Sequence, residues 1–110
     1  MAGPKTQKYK ATFDPDEEKD FGRTWQDRLA DDELIRTSVW IITCEDEATP
    51  TLIESSQGTG ISDDFKSTSI FLIGGTNELE YKLTNRITTM DDNGDTRKYD
   101  KSGLLTVAEA

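Results

Sequence analysis

The residues that could carry chemistry in this chain are carboxylates: Asp and Glu fill 22 of 110 positions, and there is no histidine. Without imidazole the commonest general base, the commonest metal ligand and every Ser–His or Cys–His dyad are missing. Two carboxylates could still hydrolyse a glycoside, but no spacing singles out a pair. Asp91-Asp92-Asn93-Gly94-Asp95 offers oxygen ligands in the manner of a calcium loop. It lacks the alternating ligands, the placed Gly and Glu and the flanking helices of an EF-hand, and reads as a hairpin tip. Gly58-Thr59-Gly60 and Gly74-Gly75 do not lie between a strand and a helix, so they read as turns rather than phosphate cradles. Cys44, the only cysteine, follows an apolar strand and reads as a small buried residue with no disulfide partner. The residues therefore predict no catalytic group, no metal and no cofactor.

A chain of 110 residues makes one modest domain. Only 33% of it is hydrophobic and its net charge is -9, so the lean core must be concentrated. It is concentrated in 34–42 and 70–87, while the first 19 residues hold almost none of it. The acidic balance argues against nucleic acid, because neutralising phosphates requires clustered Lys and Arg. No apolar run approaches the roughly 20 residues of a membrane-spanning helix, and no signal peptide is visible, which predicts a soluble chain that does not engage a membrane.

Residues 1–19 run from Lys5, Lys8 and Lys10 to Asp14, Asp16, Glu17 and Glu18, interrupted by Pro4 and Pro15, and predict an extended arm whose sizeable apolar groups are Tyr9 and Phe13. The domain proper is expected over 20–110. A short strand leads into Trp25, followed by a turn or a single helical turn. Leu34–Thr43 is β-branched and apolar and predicts a strand. Strict alternation would separate Ile35 from Trp40 and Ile42, whereas a bulge near Ser38 would bring Ile35 and Trp40 to one side. Thr51–Glu54 reads as a short strand, Ser55–Gly60 as a loop and Ile61–Phe65 as an edge strand.

Ser69–Ile73 is apolar on both faces, as in a strand covered on both sides. Leu79–Thr89 alternates, with Leu79, Tyr81, Leu83 and Ile87 inward and Asn85 the one polar residue among them. A two-residue Asn93-Gly94 hairpin would set Asp100 opposite Ile87. A three-residue loop with Gly94 left-handed instead pairs Ile87 with Tyr99, Tyr81 with Leu105 and Leu79 with Val107, matching the inward faces. A bulged hairpin is therefore predicted. The whole reads as an all-β, immunoglobulin-like β-sandwich of about seven antiparallel strands, in which Tyr81 could make a tyrosine-corner hydrogen bond. Trp25, Trp40 and Ile42, together with Tyr9 and Phe13, are the candidate protein-interface residues; the alternative for each tryptophan is burial in the core.

Three segments carry a family resemblance: DFGRTWQDRLADDELI (20–35), TSVWII (37–42) and IFLIGGTNELEYKLTNRITTMDDNGDTRKY (70–99). In these the chain resembles the phage fiber-tail adaptor family of tailed phages, with a Gly-Gly-Thr turn, a Tyr strand ending in Thr-Asn-x-Ile-Thr-Thr and a polar hairpin back. The connector CEDEATP and the arm have no counterpart in it. The resemblance implies a non-enzymatic structural component of the virion tail, assembled in the host cytoplasm. It implies as partners a tail fiber protein, a tail tube, nozzle or adaptor protein, and other copies of itself around the tail axis. Two other readings remain open: a carbohydrate-binding or adhesin-like module with Trp25 or Trp40 stacked on a sugar, and a capsid decoration or head-completion protein.

Overall fold

A computed structural model describes residues 7–8 and 18–108. The described residues are all β, with no helix: β1 (Gln7–Lys8), β2 (Glu18–Thr24), β3 (Leu34–Thr43), β4 (Leu52–Ile61), β5 (Ser67–Gly74), β6 (Glu80–Met90) and β7 (Thr96–Thr106). They form two sheets, ordered β1-β7-β6-β3 and β2-β5-β4. Six strands pair antiparallel, while the two-residue β1 runs parallel to β7, with Gln7 beside Gly103 and Lys8 beside Leu104. This corrects the expected count of antiparallel strands. Ile61–Phe65 is not an edge strand, because Ile61 ends β4 and the chain then turns, Phe65 N donating to Ser62 O at 2.9 Å. Ser55–Gly60, expected as a loop, lies within β4, where the ladder to β5 breaks between Glu54 and Thr59. Small polar residues here produce an irregular strand rather than a connector.

The bulge in β3 falls at Arg36 rather than near Ser38: Ile35 pairs with Thr89 and Thr37 with Thr88 on β6. One extra residue shifts the alternation, so that Ile35, Trp40 (opposite Asn85) and Ile42 (opposite Leu83) share the inward side. The β6–β7 hairpin has the expected register, Ile87 with Tyr99 and Tyr81 with Leu105, and Val107 N donates to Leu79 O at 3.0 Å. Gly94 takes φ 82°, and its N–H donates to Asp91 O at 3.0 Å. Asp91 Oδ1 accepts the N–H groups of Asn93 and Asp95, so its carboxylate is occupied in closing the turn.

The two sheets face each other across two apolar clusters. One holds Phe21, Leu52, Ile70, Leu72, Tyr81, Leu83, Leu105 and Val107, and the other Trp25, Leu29, Ile35 and Ile87. Among the inward residues of β6, Asn85 lies between Leu83 and Ile87 and is wholly buried. Its Oδ1 accepts from Trp25 Nε1 at 3.0 Å and Thr68 Oγ1 at 2.5 Å, and its Nδ2 donates to Ser38 Oγ at 2.9 Å and Val39 O at 3.1 Å. Both donors and both lone pairs of the amide are thus used, which is the condition for burying it without a large desolvation cost. Asn85→Ala strands Trp25 Nε1–H and the Thr68 hydroxyl in the core. It is expected to destabilise the chain by about 3 kcal/mol or more in chemical denaturation. A loss well under about 1 kcal/mol would show that this amide is not the tie between the sheets.

Candidate interaction surfaces

At the end of the fold where β3 leaves and β6 begins, Glu47 gathers the connectors. Its carboxylate accepts from Tyr81 Oη at 2.5 Å, from Thr76 Oγ1 at 2.6 Å and from both the backbone N and the hydroxyl of Thr51 at 3.1 Å. Tyr81 Oη in turn accepts the Thr76 N–H at 2.9 Å, five residues upstream, which is the backbone hydrogen bond expected of it. Hydrogen bonds from Thr76 and Tyr81 lead in stabilising the charged form, and they pull the Glu47 carboxyl down from 4.5 to about 2. The charged connector thereby becomes an ordered clasp over the Gly-Gly-Thr turn. Gly74, with φ 83°, passes so close to Thr51 O that no Cβ could be placed there.

At the opposite end Glu33, 2% exposed, accepts from Thr89 Oγ1 at 2.5 Å, Tyr99 Oη at 3.0 Å and Ala30 N at 3.2 Å. Burial works to raise this carboxyl, but these donors and Arg97 outweigh it and hold it below the ordinary carboxylate range. Burial, followed by the Glu33 hydrogen bond, raises the Tyr99 phenol. Beside Glu33, Lys66 Nζ donates to the carbonyls of Ala30, Asp31 and Glu33 at 2.7–3.1 Å, pinning the segment before β3 to the turn after β4. Both carboxylates are saturated with donors. They hold loops and are poorly disposed to act as nucleophile or base. Among the described residues no group of His, Cys, Asp and Glu could hold a metal.

The sequence-predicted surface residues separate. Tyr9 and Phe13 lie outside the described residues. Trp25 has no exposed surface: its indole sits beneath Lys101 Nζ, 4.7 Å from the ring centroid, and Arg28, 6.0 Å from it. Trp40 and Ile42 are half-buried and pack against the larger cluster, and the buried Trp40 Nε1 finds no acceptor among the described residues. Sequence reasoning missed Phe65. Its φ is 58°, unusual for a bulky side chain, and the residue is 47% exposed beside a cleft of about 320 Å³ lined by Leu34, Ile35, Arg36 and Ile61. No local pattern marks it, because Phe65 O is held by Ile35 N at 2.9 Å, a contact 30 residues back along the chain. Val39, on the outer side of β3, is 53% exposed.

Glu47→Gln tests the clasp. A carboxyl whose pKa is lowered on folding adds stability that is complete above its unfolded value, near 4.5, and is lost as pH falls through about 2. The variant should therefore melt below the parent at pH 7, and the gap should close between pH 4.5 and 2 in thermal scans. A gap that does not change with pH would refute the assignment.

A search of curated proteins finds no match. The family model described as podophage GP4 fiber-tail adaptor protein gp77 matches residues 14–100, from the last part of the arm to the middle of β7. On that match, which spans most of the chain, the protein belongs to the podophage GP4 fiber-tail adaptor protein gp77 family.

Proposed function

We propose that this chain is a non-enzymatic structural protein of the virion that attaches tail fibers or spikes to the tail. The observation that carries the proposal is the family match over residues 14–100. The physical features agree with a spacer: two sheets tied through Asn85, with both ends clasped by saturated carboxylates, form a stiff body. We read that body as an immunoglobulin-like sandwich. The Tyr81 hydrogen bond to Thr76 N supports this, and the arm of residues 1–19 supplies β1 on one edge.

In this reading the partners are a tail fiber protein and a tail tube, nozzle or adaptor protein. Several copies stand around the tail axis, after assembly in the host cytoplasm. The arm, with Tyr9 and Phe13, forms one contact, and Trp40 and Ile42 on β3 belong to another. Trp25 acts from behind the surface, its ring lying beneath the exposed Arg28, which a partner can meet. A sugar-binding module finds less support, because its platform must be a solvated tryptophan face: Trp25 has none, and Trp40 packs half-buried against the larger cluster.

The arm can be tested with a variant lacking residues 1–17, which leaves β2 whole. The full chain should retain both fiber and tail proteins in pull-downs and join assembling tails, and the variant should lose one partner. If the folded variant holds both and still assembles, the arm is not a contact. If the full chain holds neither, the adaptor reading itself fails.

A further inference from the structure

β3 ends its sheet, and in an antiparallel ladder such a strand turns half of its backbone N–H and C=O groups away from its neighbour. At the start of β3 that edge is covered, Ile35 N donating to Phe65 O. Beyond the Arg36 bulge no described residue pairs with it. Natural sheets blunt such edges with charge, Pro or shortness. Residues 37–43, TSVWIIT, have no charge and no Pro, and β3 is 10 residues long. Apolar side chains flank the open edge on both sides: Val39 and Ile41 outside, half-buried Trp40 and Ile42 inside.

The charges at the two ends of this edge identify the occupant. Arg36 stands at the first end, lining the cleft beside Phe65, and Glu45 and Asp46 are exposed just past the other. None of the three has an ion-pair partner among the described residues. A second β3 laid antiparallel brings Arg36 of each copy to Glu45 and Asp46 of the other. A parallel one would set like charges together. A two-fold register with Ile41 on the axis and Trp40 opposite Ile42 keeps outer residues beside outer and inner beside inner, as a continuous sheet requires.

We propose that β3 is a docking edge for a second copy of this chain, and that the free protein is an antiparallel β3–β3 dimer with one sheet running through both copies. Such a contact is isologous, so it closes at two copies and describes the protein before it joins any ring. The proposal does not rest on the adaptor reading.

Light scattering during gel filtration tests it. The full chain should have the mass of two 12.3 kDa chains at micromolar concentration. Ile41→Lys sets two ammonium groups together on the axis and should give monomers. Should that variant fail to fold, the exposed Arg36→Glu serves instead. It is expected to weaken the dimer roughly tenfold or more, and Glu45→Lys/Asp46→Lys should do likewise. Combining the three changes should restore the dimer, which a merely structural role for these residues would not produce. A monomeric full chain, a larger closed oligomer, or a folded Arg36→Glu variant that pairs as tightly as the parent would each overturn the proposal.

Discussion

The fold depends on a single carboxamide. Asn85 lies buried between the sheets, where an unpaired polar group is expensive, and its surroundings satisfy all four of its hydrogen-bonding positions. β5 must present Thr68, β3 must present Ser38 and Val39, and the segment after β2 must deliver the Trp25 indole edge. A one-residue slip of β6 would turn Asn85 to solvent and move its apolar neighbours with it, so the amide selects the register as well as stabilising it. Hydrophobic burial alone is less discriminating, since branched side chains tolerate several packings.

Trp25 connects this tie to the surface. With its N–H committed to Asn85, the indole presents a fixed face beneath Lys101 and Arg28, and Tyr99 lies 6.3 Å from it by ring centroids. Tyr99 leads to Glu33, and Glu33 to Thr89 and the backbone of Ala30. One end of the molecule is therefore continuous with the core through hydrogen bonds and ring contacts. Glu47 serves the other end in the same way through Tyr81, a core residue whose hydroxyl reaches the loops. In a chain with no histidine, these two carboxylates work as anchors for connectors.

The strand edges divide the molecule's surfaces. The β7 side is occupied by β1 and by Arg23 Nη2 donating to Ser102 O at 2.7 Å, whereas β3 beyond its bulge is uncharged and has no partner strand on its outer edge among the described residues. The bulge itself creates the difference. It turns Trp40 and Ile42 toward the core at an edge where the facing sheet covers them only in part, and it leaves Arg36 as the lone charge at the start of the open stretch.

Local chemistry in the sequence determined much of this. Period-two alternation marked β6 and singled out Asn85. Matching the inward faces of 79–89 and 97–107 settled the bulged hairpin, because only one loop length avoids placing Asp100 beside Ile87. β-branched residues marked β3, and the segments flanking Trp25 and the Gly-Gly-Thr turn carried the family resemblance. Other features were decided in three dimensions. The break inside β4, the turn at 62–66 with strained Phe65, the parallel β1, and the roles of Glu33 and Glu47 all depend on groups tens of residues away. A carboxylate in an acidic chain looks alike in sequence whether it faces water or receives several donors. Likewise only the tertiary structure places the Trp25 ring in the core, where Asn85, 60 residues later, takes its N–H.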